Sequence, residues 1–308
     1  VGRSSKGKDS LAIQTEMFSV GDMGHAHGQT SFALGVKTLP DGRMPKPPDQ
    51  TNAKSKLIAS YIARFQLVTK GGLYIDGFAA PQSRDHEESW TARRVLEIQP
   101  PRLRTFWLCD IEPRGLLQLK RLKDRHHRKP SSRRVFVIEG DFNQTVKTIL
   151  KSDRLTRRAA IFALLDQRNT ECHWSTVKAL ASRAGATKIE LLYFVGTSWL
   201  HRSLATSERP ERLAEIERWW GGPGWRDLLD LKQAEMVKRI ADRFAHELGY
   251  RFVKGYPITL DEDGTKAAFH LIHASDHPAA GGLMDRAYLE ICGDHPEVDL
   301  GTQRRLAL

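Results

Sequence analysis

The chain has 308 residues, 40% of them hydrophobic and 28% charged. That is enough apolar material for one large domain, or a domain with an insertion, and it excludes a chain disordered throughout. No apolar run approaches the roughly 18–20 residues of a membrane helix, and 48 Lys and Arg against 37 Asp and Glu leave a formal charge of +11, which favours a polyanionic partner, nucleic acid first.

The opening segment VGRSSKGKDSLAIQTEMF is basic but carries no apolar stretch after its charges, so it does not read as a secretory signal. Cys109, Cys172 and Cys292 lie far apart with no CxxC spacing. A disulfide scaffold and a cysteine-only metal cage are both excluded, and a reducing cytoplasm is the expected setting. Residues 1–50 are rich in Gly, Ser, Lys and Pro and end in LPDGRMPKPPDQ, the composition of an extended or partly ordered arm in which AIQTEMFSV is a short candidate element.

From Thr51 the pattern becomes regular. TNAKSKLIASYIARFQLVTK puts Leu57, Ile58, Tyr61, Ile62 and Phe65 on one helical stripe, closed by Gly71-Gly72. LYIDGF, TFWLCDIEP, RVFVIEGDFN, AAIFALLDQRN and KIELLYFVGTS then read as strands. SWTARRVLEIQ, RGLLQLKRLKDRHH, QTVKTILKS and HWSTVKALASRAG read as the helices between them. Continuous apolar strands alternating with helices predict a parallel sheet covered on both faces. After Ser198 only helices are predicted, PERLAEIERWW and LKQAEMVKRIADRFAHELG, split by GGPGW. YRFVKGYPITL and AAFHLIHASD follow as a hairpin joined by the DEDG turn, then GGLMDRAYLEIC as a last helix.

The expected fold is therefore α/β: a doubly wound, mostly parallel Rossmann-like sheet of the class I methyltransferase type, with an antiparallel C-terminal hairpin strand. The expected division is an arm over 1–50, a nucleoside-binding core over 51–198, a helical insertion over 199–249, and a hairpin and helix completing the core over 250–308.

Ligands of open parallel sheets sit at the carboxyl ends of the strands. Four strands in a row end there in an aspartate: Asp76, Asp110, Asp141 and Asp166. Carboxylates so placed accept hydrogen bonds from ribose hydroxyls or a cationic group. The first turn, Asp76-Gly77-Phe78-Ala79-Ala80, lacks GxGxxG and GxxxxGK[ST]. That argues against pyrophosphate binding and fits a cofactor without phosphates, such as S-adenosylmethionine. In Asp110-Ile111-Glu112 either acid is a ribose contact, Asp110 preferred because it ends the apolar run; Glu112 reads equally as a helix cap before Pro113. Asp141 would face the adenine edge, with Phe142 either against the ring or in the core. Asp166-Gln167-Arg168-Asn169 is the candidate catalytic corner: Asp166 to bond a substrate amine, Gln167 or Asn169 to orient it, Arg168 to hold a phosphate or carboxylate, or else the four form a polar turn.

The stretch Arg114–Arg134 is strongly basic. Lys120, Arg121, Lys123, Arg125, Arg128 and Lys129 are its candidate nucleic-acid contacts, the alternative being a solvated helix face. Trp199, Trp219, Trp220 and Trp225 are candidates to stack a flipped base or to form a small core. His270 and His273 point to opposite faces of a strand, and no zinc spacing appears, so no metal is expected.

Several blocks together resemble a known family. YIDGFAAPQ is similar to the YIDLFAGPG segment of the three-Cys-motif partner proteins. The preceding helix with Lys54 and Tyr61, FWLCDIEP, EGDFN, FALLDQRNTECHWSTVKAL, GGPGW and FHLIHASDHPAAGGLMDRAY resemble its later blocks, from about Thr51 to Tyr288. The resemblance implies a bacterial protein with a methyltransferase-like fold and a partner protein carrying the three cysteines. The chain departs from the pattern at Ala80 and Gln82, where the family has glycines, and at Gln167-Arg168-Asn169, where it has Pro-Phe-Gly. Both departures fall where cofactor and acceptor would sit, and they leave open a changed substrate or a lost activity. Three functions follow: an S-adenosylmethionine-dependent methyltransferase, a non-catalytic accessory module binding a protein or nucleic acid, and, least favoured, a nuclease using the carboxylates with Mg²⁺.

Overall fold

Every interior strand alternates its side chains between two apolar layers. In the computed structural model, Tyr74, Phe106, Leu108, Phe162, Leu164, Leu192 and Phe194 point to one face. Leu73, Ile75, Trp107, Ala163, Leu165, Leu191 and Tyr193 point to the other. The structure describes residues 49–82, 86–127, 133–205, 209–259 and 267–293. The chain divides into two units, Val1–Pro45 and Lys46–Leu308, and every described residue belongs to the second. The expected arm, with its AIQTEMFSV segment, and the DEDG turn lie outside the described residues.

The first helix, α1 (Asp49–Val68), packs through the predicted stripe, which Lys54 extends by one turn into the buried interior. The chain then enters β1 (Gly72–Asp76), passes through a short 3-10 turn and α2 (Thr91–Glu97), and returns along β2 (Leu103–Asp110). The units α3 (Pro113–His127) with β3 (Arg134–Glu139), α4 (Phe142–Leu150) with β4 (Ile161–Leu165), and α5 (Trp174–Ala181) with β5 (Glu190–Val195) repeat the alternation. Three helices follow, α6 (Thr197–Ala205), α7 (Pro210–Trp220) and α8 (Gln233–His246), then β6 (Phe252–Thr259), β7 (Ala267–Ser275) and α9 (Ala280–Cys292).

The seven strands lie in the order β3-β2-β1-β4-β5-β7-β6. The β1–β5 ladder is parallel, while β7 runs antiparallel to both β5 and β6. The order reverses between β1 and β4, and the crevice outside their carboxyl ends is the place where such a sheet binds ligands. Helices α1, α2, α3 and α9 cover one face; α4 to α8 cover the other.

Two details differ from expectation. β3 is an edge strand, so its side chains are only partly covered although its sequence reads like an interior one. Helix α6 begins two residues after β5, where no separate helix is predicted. The apolar side chains of α8, Met236, Val237, Ile240 and Phe244, join the same layer as Tyr193 and Ile272 of the sheet. Among the described residues no helix is long and apolar enough to cross a membrane.

Candidate functional site

The four aspartates stand on four adjacent strand ends, in the spatial order Asp141, Asp110, Asp76, Asp166. Strand register sets their depths. Asp76 lies level with Leu108 of β2 and Leu164 of β4, so Asp110 and Asp166 each sit two residues further out. Asp76 is accordingly at the floor of the rim, 1% exposed, and the other three are at its lip.

Asp76 accepts hydrogen bonds from the Tyr74 hydroxyl at 3.1 Å and the Phe78 amide at 3.2 Å. Burial, followed by the neighbouring Asp166 carboxylate, pushes its carboxyl up to about 7, which the two hydrogen bonds only partly offset. A cation arriving here would ionise it.

Asp110 is tied to the backbone around it. Its Oδ1 accepts from the amides of Ile111 and Glu112, both at 2.9 Å, and its Oδ2 accepts from the Ala80 amide at 2.9 Å. Each carboxylate oxygen has two lone pairs, so among the described residues one position on Oδ2 has no partner. Glu112 Oε2 accepts from the Gly115 amide at 2.5 Å, which makes it a cap of α3. Between the two acids Ile111 is 57% exposed, an apolar side chain standing free at the lip.

The first loop folds down over the end of β2. The Ala79 amide donates to the Cys109 carbonyl at 2.8 Å, and the Trp90 indole donates to the Ala79 carbonyl at 2.7 Å. Phe142 is buried beneath Gly77 and belongs to the core, leaving no ring face for a ligand.

Asp141 caps α4 through the Asn143 amide at 2.9 Å and also accepts from the Asn143 side chain at 2.8 Å. Asn143 in turn donates to the Glu171 carbonyl, and its Oδ1 accepts from the His173 amide and the Thr176 hydroxyl. One amide side chain thus joins the ends of β3 and β4. Burial raises Glu171 and lowers His173 beside it.

At the end of β4, Asp166 accepts from the Lys54 ammonium at 2.7 Å, with the two side chains 10% and 4% exposed. Lys54 stands 4.8 Å from the ring centre of Phe194 and 5.5 Å from that of Phe269. Removal of one partner from such a pair leaves a lone buried charge. The other three residues of the corner have separate roles. Gln167 is buried; it donates to the Phe194 carbonyl at 3.1 Å and accepts from the Cys172 amide at 2.8 Å, which shapes the turn. Asn169 donates to Ser203 at 3.0 Å, linking the turn to α6. Ser203 also bonds Arg212, and Arg212 pairs with Glu215, which accepts from Thr170 at 2.7 Å. Arg168 is exposed.

In the sequence Lys54 enters only as part of the family-like helix before β1, with no site role assigned to it. The usable signal is a lysine at i−3 and i−4 to Leu57 and Ile58, on the buried stripe, where a lysine needs a partner.

On α3, Lys120, Arg121 and Arg125 are exposed and Lys123 is half-buried; Arg128 and Lys129 lie outside the described residues. Lys120 and Arg125 each have a carboxylate at 3.8 Å, Glu139 and Glu87. Trp219, Trp220 and Trp225 are buried in the core, so they cannot stack a base. His270 bonds Thr197, and His273 bonds Glu190 at the opposite end of the sheet, together with Tyr61 and Ser275. A cavity of about 390 Å³ lies away from the rim, between α7 and α8, beside Trp220, Gly222, Arg239 and Arg243.

The strand order, with β7 alone reversed, makes this a doubly wound Rossmann-like sheet of the class I methyltransferase type. Searches against family models and against curated proteins find no match. Among solved structures, the small RNA methyltransferase HEN1 overlaps with a TM-score of 0.43 at 12% identity, over 76% of this chain and 26% of that one. This chain therefore spans about a quarter of the HEN1 chain. TYW2 of M. jannaschii in complex with AdoMet gives 0.39 at 10% identity, over 73% of this chain and 75% of that one. A dimethyladenosine transferase from Plasmodium falciparum gives 0.34 at 10% identity, over 73% and 62%.

Proposed function

We propose that this protein is an S-adenosylmethionine-dependent methyltransferase acting on nucleic acid, related to the three-Cys-motif partner proteins. The observation that carries the reading is the lip at the end of β2. A carboxylate oxygen with one open lone pair and an exposed apolar side chain stand next to each other, one strand away from the switch point of the sheet.

These residues fit a nucleoside. Asp110 would accept from a ribose hydroxyl, Ile111 would cover the apolar face of the base, and Asp141 would meet its edge. Asp76, at the floor, would hold the cationic end of the molecule. Bound there, the cofactor supplies a methyl group on a positively charged sulfur. The chain's own part is to orient the two reactants and to exclude water from between them. The outer face of α3, with Lys120, Arg121 and Arg125 exposed, would follow a phosphate backbone.

The test is calorimetric titration of the purified chain with S-adenosylmethionine and with S-adenosylhomocysteine. Saturable binding, lost in Asp110→Ala and Ile111→Asp, is expected. Absence of binding at millimolar ligand overturns the reading in favour of an accessory module that keeps the fold and binds a partner. The three backbone amides already held by Asp110 are the observation that favours that second reading.

A further inference from the structure

Lys54–Asp166 is the one buried ion pair at this rim among the described residues, and it joins α1 to the strand end beside the switch point. Lys54 offers N–H donors and no acceptor; an ionised Asp166 offers acceptors only. An entering group therefore meets one donor and one acceptor 2.7 Å apart.

Such a pair discriminates by the charge that develops on the acceptor atom. The exocyclic nitrogen of a base can donate to Asp166 but cannot accept from Lys54, and the positive charge it gains on methylation is attracted by the one and opposed by the other. An anionic acceptor is attracted by Lys54 but repelled by Asp166, and it has no proton to give the carboxylate. A hydroxyl suits both: its proton moves toward Asp166, and the negative charge growing on oxygen faces Lys54. The two rings that flank the ammonium offer no platform for a flat base; the half-buried Trp199 packs against Phe194, its ring centre 5.8 Å away. Phe194 and Phe269 are 3% and 6% exposed and flank the Lys54 ammonium.

We propose that Lys54 and Asp166 form the acceptor site and select a hydroxyl group, the ribose hydroxyl of an RNA given the chain's charge of +11. This inference rests on the methyltransferase reading above. The hydroxyl oxygen takes the methyl carbon as that carbon's bond to sulfur breaks, the electron pair stays on a neutral thioether, and the hydroxyl proton passes to Asp166 and then to water.

The experiment titrates the full chain, without cofactor, against a fluorescein-labelled single-stranded RNA and the DNA of the same sequence. RNA should bind about tenfold more tightly, the effect of one charge-assisted hydrogen bond. Lys54→Met and Asp166→Asn should each bring the ratio near one. The double variant Lys54→Met/Asp166→Asn leaves no lone buried charge, so it tests discrimination in a folded chain. With labelled methyl donor added, the product should be alkali-stable dinucleotides. Equal binding of RNA and DNA by the wild type, an unchanged ratio in the double variant, or label recovered on a base would each overturn hydroxyl selection. A wild type that prefers RNA through this pair but binds no S-adenosylmethionine would instead sink the methyltransferase reading and leave the hydroxyl site standing.

Discussion

Gly77 lies flat against the ring of Phe142: a Cβ built on it would come 2.7 Å from the ring's Cδ1. Phe142 is held in the core and has no room to turn. Gly77→Ala should therefore lift the first loop and cost about 1–3 kcal/mol, read by urea unfolding. Gly77→Ala/Phe142→Leu should cost less than the sum of its single changes, because the shorter side chain frees the space. Simple additivity would show that the two residues do not press on each other.

Lys54→Met removes one half of a buried pair and should cost about 3–5 kcal/mol. The Lys54→Met/Asp166→Asn double variant should be more stable than Lys54→Met, since neither charge is left alone. If the two single changes add, the side chains do not interact in solution.

Asp76 supplies a pH dependence with a definite sign. Its carboxyl moves from an ordinary 3.8 to about 7 in the folded chain. Between those values the folded state holds a proton that the unfolded state has lost. The contribution of this group is therefore most favourable below about pH 4, declines as pH rises to about 7, and is level above. Asp76→Asn should raise stability above pH 7 by on the order of 2–4 kcal/mol and leave it little changed at pH 4. Denaturant midpoints at acidic and mildly alkaline pH decide the matter; a uniform loss at both would mean that the carboxylate is ionised and paired.

Asn143→Ala should cost about 2–3 kcal/mol, because it strips partners from the Glu171 carbonyl, the His173 amide and the Thr176 hydroxyl at once. The same change should loosen the turn that carries Asp166, seen as faster amide exchange over 166–173. Exchange confined to α4 would contradict a link between the two strand ends.

Charge reversal at Lys120, Arg121 and Arg125 should weaken nucleic-acid binding evenly across sequences. It should also flatten the dependence of log affinity on log salt by up to about 3, one for each phosphate that is no longer neutralised. An unchanged slope would place the nucleic acid elsewhere on the surface.

The interior strands were legible because a run such as IFALL can be satisfied only where both faces are covered, and β4 is so placed. RVFVIE looks the same as a string, yet β3 is at the edge; the string does not say which neighbour is missing. The row of acids was visible as four strand ends, but their unequal depth follows from register, which emerges only once the strands pair. Gln167 had the chemistry of a site residue, and its amide is taken up by two backbone groups. Lys54 and Asp166 are 112 positions apart, so no local spacing connects them. Helix α6 was missed because it starts almost at once after β5, with no loop composition to announce it.

The reversed strand also bears on how the chain is made. β5 is inside the sheet, yet one of its neighbours, β7, is composed of residues 267–275. While a ribosome is still working through α6, α7 and α8, one side of β5 has no mate and its ladder groups are open to any passing strand. The sheet closes only after Ser275 has left the exit tunnel, so the nascent chain must be kept from sticking to its neighbours until then.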